Sequence, residues 1–127
     1  MRTGLAVAAV LLAVVLVGGV MTGNLTRQVA DRYVAASQEL RVMTEAGQWD
    51  RAAETLAAYQ ETWQETLTWL QMLVHHDDTD DVTLAMLRLD AGIRQRDGTL
   101  CAESCNELEE NARHIYHRDA LTLANVL

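Results

Sequence analysis

Residues 3–47 read TGLAVAAVLLAVVLVGGVMTGNLTRQVADRYVAASQELRVMTEAG, and two features of this stretch decide the fold class. Its first 24 residues carry no charge and are bracketed by Arg2 and Arg27. Its remainder places Val29, Tyr33, Ala36, Leu40 and Met43 at steps of four, three, four and three, the period of an α-helix with one apolar face. The chain has no Pro, so nothing breaks the backbone ladder between the two parts. The stretch is therefore predicted to form one rod that ends at Gly47, a residue suited to the left-handed position after a helix.

At 1.5 Å per residue, the uncharged part covers about 36 Å, enough to cross a hydrocarbon layer of about 30 Å. A cleaved signal peptide is the competing reading. It is disfavoured because the apolar region exceeds the usual length of about 7–15 residues and lacks a clean A-x-A site. Arginines stand on both sides, at Arg2 and at Arg27 and Arg32, so charge does not decide the orientation.

Downstream, the helical period persists. A second helix is expected from about Gln48, carrying Trp49, Ala52, Ala53, Leu56, Tyr59, Trp63, Leu67, Leu70 and Val74 on one face. It reads as the longest of the soluble helices, which would lift the turn at Trp49 above the other pair. His75–Asp81 (HHDDTDD) interrupts the pattern, and Thr79 or Asp80 is expected to cap a third helix bearing Val82, Ala85, Met86, Leu89 and Ile93. Asp97-Gly98 signals a turn, and a fourth helix carries Cys101, Cys105, Leu108, Ala112 and Ile115. The tail, with Leu121, Leu123, Val126 and Leu127, would return to the anchor end as a short helix or along the bilayer surface. Short connections make successive helices antiparallel. The fold class is all-α: an N-terminal single-pass transmembrane helix continuing into an antiparallel bundle of about four helices. Residues 1–26 form the anchor and residues 27–127 an acidic bundle.

Composition excludes several classes. A chain of 127 residues is too short for a multidomain enzyme, and its 18 acidic residues against ten basic ones give a net charge of −8. Nine of the ten arginines and every acidic residue lie beyond residue 23, so the bundle alone carries −9. Such a surface repels a phosphate backbone, and no nucleic-acid partner is expected. No G-x-S-x-G, Walker loop or G-x-G-x-x-G occurs, and no enzyme activity is expected.

The densest chemical feature is His75, His76, Asp77 and Asp78. An antiparallel bundle would bring His114 and His117, three residues apart on one helix face, to the same end. Imidazole with carboxylate suits Zn, Cu or Ni, and histidines beside carboxylates titrate near neutrality. Ordinary helix-end electrostatics accounts for the same residues, since acids favour a helix N-terminus and His a C-terminus. Neither H-E-x-x-H nor a calcium loop is present, and no cofactor is expected. Cys101 and Cys105 stand four apart on the apolar face and read as buried thiols, an oxidised pair being the alternative. Trp49 and Trp63 fall on the core stripe and Trp69 beside it; Trp49 and Trp69 are the candidates for partner binding. Residues 46–56 resemble a tetratricopeptide hairpin, but the period of roughly 34 residues does not recur, and convergent packing explains the likeness.

The order of features carries a resemblance over nearly the whole chain. An N-terminal anchor is followed by Gly47-Gln48-Trp49 with Ala53, then Trp63 and Trp69, then His75-His76-Asp77-Asp78 and Leu84 to Leu89. His114-Ile115-Tyr116 and a closing LTLANVL complete it. This sequence resembles the bacterial family of domain of unknown function 4363. The cysteine pair and the doubled histidine depart from the family pattern and inherit no role. The resemblance implies a small single-pass helical protein of the cytoplasmic membrane, exposed on the outer side, and it implies no activity, since the family has none assigned. The expected function is a non-enzymatic interaction module that meets lipid through residues 3–26 and another membrane or envelope protein through its bundle. The alternative is a metal-binding or pH-sensing accessory protein built on the His/Asp cluster.

Overall fold

In a computed structural model, the backbone is described for residues 1–126 and the side chains for residues 1–116. Four helices follow in order: α1 (Arg2–Glu45), α2 (Trp49–Leu70), α3 (His76–Gln95) and α4 (Gly98–Val126), with no strand among the described residues. As the missing Pro predicts, the apolar stretch and the first bundle strut are one continuous helix of 44 residues, about 66 Å long. Gly47 ends it with φ +70°; its N–H bonds the Thr44 carbonyl (3.1 Å) and the Gln48 N–H bonds that of Met43 (3.0 Å). These two bonds satisfy carbonyls that the helix end would otherwise leave open.

The same motif closes α3, with an arginine in place of the glycine. Arg96 sits at φ 52°, the Asp97 N–H bonds the Gly92 carbonyl (2.9 Å), and the Arg96 N–H bonds that of Ile93 (3.1 Å). Asp97 then accepts from the Leu100 N–H through Oδ1 (3.1 Å) and so caps α4. The Asp97-Gly98 turn works through its aspartate, whereas the left-handed residue lies two positions before the glycine.

The four helices form a ring in chain order. α4 lies close against α1 and α3, while α2 stands further from its neighbours. Side-chain size explains the difference. The buried face of α4 is mostly small, with Cys101, Ser104, Cys105 and Ala112 beside Leu108 and Ile115, and α1 presents Ala36 and Ser37. α2 instead buries Trp63, Leu56 and Leu70 and packs Trp49, Tyr59, Leu67 and Trp69 partly against the core. Bulk on α2 fills the wider gap, so the core stays continuous without close backbone approach.

Three expectations need correction. First, α2 ends at Leu70 after 22 residues, and α4, with 29, is longer. The step from Leu70 to Val74 equals one helical turn, but here a tight turn delivers Val74 to the core, with the Leu73 and Val74 N–H groups both bonding the Leu70 carbonyl. Second, His76–Asp81 is the first part of α3 rather than a break, and His75 is the N-terminal flanking residue. Thr79 does not cap: its hydroxyl donates to the His76 carbonyl (2.8 Å), and Asp77 and Asp78 lie in the first turn, where the helix dipole favours carboxylates. Third, the Trp49 turn does not rise above the other pair. Arg41, four residues from the end of α1, bonds Asn106, eight residues into α4, so α4 begins about one turn beyond the end of α1. The tail is no separate helix, since α4 runs on to Val126; its side chains lie outside those described.

Candidate functional site

Two regions carry chemistry beyond packing: an aromatic column between α1 and α2, and the end of the bundle where α1 leaves it. The column is built on Tyr33 and Trp63, both fully buried, whose rings meet edge to face at 4.9 Å between centroids. Tyr59 joins at 6.2 Å from Tyr33. Every polar atom of the column finds a partner. The Trp63 indole N–H donates to Thr83 Oγ1 (2.8 Å), which donates on to the Thr79 carbonyl (3.0 Å), tying α2 to α3. Tyr33 donates to the Tyr59 carbonyl (3.4 Å), and Tyr59 donates to Glu39 Oε2 (2.6 Å), tying α1 to α2.

That last bond has a pH consequence. The Glu39 carboxylate, together with burial, favours the neutral phenol and pushes Tyr59 up to about 12 from its ordinary 10. In the unfolded chain the phenol ionises at the ordinary value. The stabilisation is therefore complete below pH 10 and is lost as pH rises from 10 through about 12. An alkaline titration followed by phenolate absorbance should show two late-ionising tyrosines, Tyr33 raised by burial and Tyr59 raised chiefly by Glu39, and only the Tyr59 midpoint should fall towards 10 in Glu39→Gln. An unchanged midpoint in that variant would remove Glu39 as the cause.

Cys101 and Cys105 are fully buried free thiols, as their place on the apolar face predicts. Burial pushes both up, Cys105 to about 11, so they are held as thiols rather than as thiolate nucleophiles.

At the other end, Arg27, Ala30 and Asp31 of α1 and Arg113 and Tyr116 of α4 line a cleft of about 260 Å³. The Arg27 guanidinium lies 5.8 Å from the Tyr116 ring centroid, and Arg113 pairs with Glu109 at 2.7 Å. His75, His76 and Asp77 are exposed at the start of α3; Asp78 is buried in the same turn. His114 is exposed on α4, one turn past Asn111, whose amide donates to the Asp81 carbonyl (3.2 Å). The fold thus brings His114 to the end of the bundle that holds His75 and His76. Among the described residues, no three of His, Cys, Asp or Glu converge as a metal ion would require, and the side chain of His117 lies outside those described. Trp49 and Trp69, expected to meet a partner, are each half-buried against the core.

Beyond this end, residues 2–18 and 20–21 of α1 are exposed. Leu11, Leu12, Val14 and Val15 each keep about 60% or more of their surface open. This part of α1 is long and apolar enough to cross a membrane, and none of its most apolar 18-residue window is buried within the protein. The cleft and the aromatic column escape a reading of spacing alone, because both depend on which residues of separate helices come level.

No curated protein and no solved structure matches the chain. A family model, that of a domain of unknown function (DUF4363), matches residues 20–126, from the last turns of the apolar segment through the whole bundle. The chain therefore belongs to the DUF4363 family.

Proposed function

We propose that the protein is a non-enzymatic, membrane-anchored interaction module of the bacterial envelope. Residues 3–26 sit in the cytoplasmic membrane, and the acidic bundle stands on its outer side to engage another membrane or envelope protein. One observation carries this reading: the apolar part of α1 buries nothing within the protein yet continues without a break into the bundle's first strut. A helix that exposes apolar residues all round is stable only where lipid replaces water. The unbroken helix then holds the bundle at a fixed stance rather than on a loose tether. The outward orientation is drawn from the family resemblance.

A photo-crosslinking residue in place of exposed Gln48, in the full chain in its native membranes, tests the partner. A discrete adduct that weakens in Trp49→Ala is expected. A diffuse background unchanged by that substitution would overturn the interaction role.

A further inference from the structure

We infer that the α2–α3 turn is a second membrane contact, in which Met72 and Leu73 dip into the interfacial layer of the bilayer that residues 3–26 cross. The inference rests on the anchored reading above. Met72 is 81% exposed and Leu73 38%, an unusual display for adjacent large apolar residues at a tight turn. Neither is needed by the core, which takes Leu70 before them and Val74 after.

The level of this turn follows from two independent sets of contacts. On one side, Tyr33 of α1 faces Tyr59 and Trp63 of antiparallel α2. Counting equal rises down both helices from there brings Leu70 level with residues 22–26, at the end of the uncharged stretch before Arg27. On the other side, Arg27 lies over Tyr116 of α4, and Asn111 of α4 meets Asp81 of α3. Five residues down each of these antiparallel helices, His76 comes level with Tyr116 and hence with Arg27. Met72 and Leu73 precede His76, so both routes place them beyond Arg27, on the side where α1 is purely apolar.

The surroundings favour lipid over a protein partner at this spot. Leu25, 41% exposed, occupies the same level on α1, and Trp69, half-buried just before the turn, stands where amphipathic rings settle at membrane interfaces. The residues that frame the tip, Gln71, His75 and His76, are polar without obligatory charge. The carboxylates of Asp77, Asp80 and Asp81 follow along α3, which leads away from the membrane. The contact is accordingly apolar and shallow. Together with α1, it gives the bundle two points of support and fixes its tilt about the anchor.

The test uses the full chain in phosphatidylcholine vesicles that contain lipids spin-labelled near the headgroup or in mid-chain. An environment-sensitive fluorophore is placed in turn on Met72→Cys, on Leu87→Cys, exposed on α3 eleven residues past His76, and on Ala13→Cys within the apolar run. The buried native thiols do not compete for the label. Expected is loss of emission at position 72 with the shallow quencher and at position 13 with the deep one, with none at 87. Quenching at 13 while 72 stays as bright as 87 would overturn the second contact and leave the anchor standing. No quenching at either 13 or 72 would overturn the anchor and the contact with it.

Discussion

Trp63→Ala is expected to destabilise the bundle by about 3–5 kcal/mol, the range for truncating a fully buried large aromatic. Trp63 is 0% exposed and occupies the gap across which α2 faces its neighbours. Because α2 keeps its distance from α1 and α3, no small shift of backbone can close the cavity that truncation leaves. The edge-to-face contact with Tyr33 at 4.9 Å is lost as well, as is the indole bond to Thr83. Thr83 itself stays satisfied through the Thr79 carbonyl, so the loss is one of packing rather than of an orphaned polar group. A marginal total of roughly 5–15 kcal/mol makes such a loss a large fraction of the whole. Urea denaturation of the full chain in detergent measures it. Hydrogen exchange should show α2 opening before α4, because α4 is held by close contacts with two helices. Trp63→Phe, which keeps an edge for Tyr33 but no N–H for Thr83, should lose less. A cost below about 1 kcal/mol for the alanine variant would mean that the aromatic column does not hold α2 in place.

Gly92→Ala is the second large effect, and its direction opposes ordinary helix propensity. Gly92 lies inside α3, where alanine would normally be favoured by up to about 1 kcal/mol. A Cβ at this position, however, would stand 2.9 Å from Cys101 Sγ and 3.1 Å from the Cys101 backbone nitrogen. The first atom ends a short, buried side chain and the second belongs to the start of α4, so neither can yield without moving the α3–α4 crossing. Overpacking of this kind costs about 1–3 kcal/mol, enough to outweigh the propensity gain. Gly92 also supplies the carbonyl that receives the Asp97 N–H in the turn, so the strain falls on the motif that starts α4. Pairing Gly92→Ala with Cys101→Ala relieves the sulfur contact but not the backbone one, and partial recovery of the denaturation midpoint is expected. A single variant as stable as the wild type would show that the α3–α4 crossing has room to spare.

Much of this architecture is legible in the sequence, and the reason is geometric. The single rod of α1 follows from an uncharged run, a helical period and the absence of Pro, all of which act within one segment. Gly47 and the buried faces of α3 and α4 follow in the same way. What spacing misreads is the helix end. Leu70 and Val74 are four apart whether joined by a helical turn or a tight one, and Asp77 to Asp81 look like a loop although first-turn carboxylates suit a helix dipole. Gly92 gives no sign of its role, because nothing within α3 reveals that Cys101 will press against it. The meeting of Tyr33 with Trp63, the cleft between Arg27 and Tyr116, and the level of Met72 all depend on register between helices. A periodic pattern determines which face is buried but leaves the register between helices open.

The protein joins two unequal parts: an apolar half-rod whose most apolar window buries nothing, and a tightly organised acidic bundle built around the other half of the same helix. Its charge and its apolar residues are segregated along α1, which is how a chain organises itself at a boundary between lipid and water. The proposed function requires that residues 3–26 remain attached and lie in the bilayer. Alkaline carbonate extraction of native membranes, followed by N-terminal sequencing of the protein that stays behind, tests it most directly. An anchored chain resists extraction and still carries the whole apolar segment. A carbonate-soluble chain beginning near Arg27 would contradict that requirement.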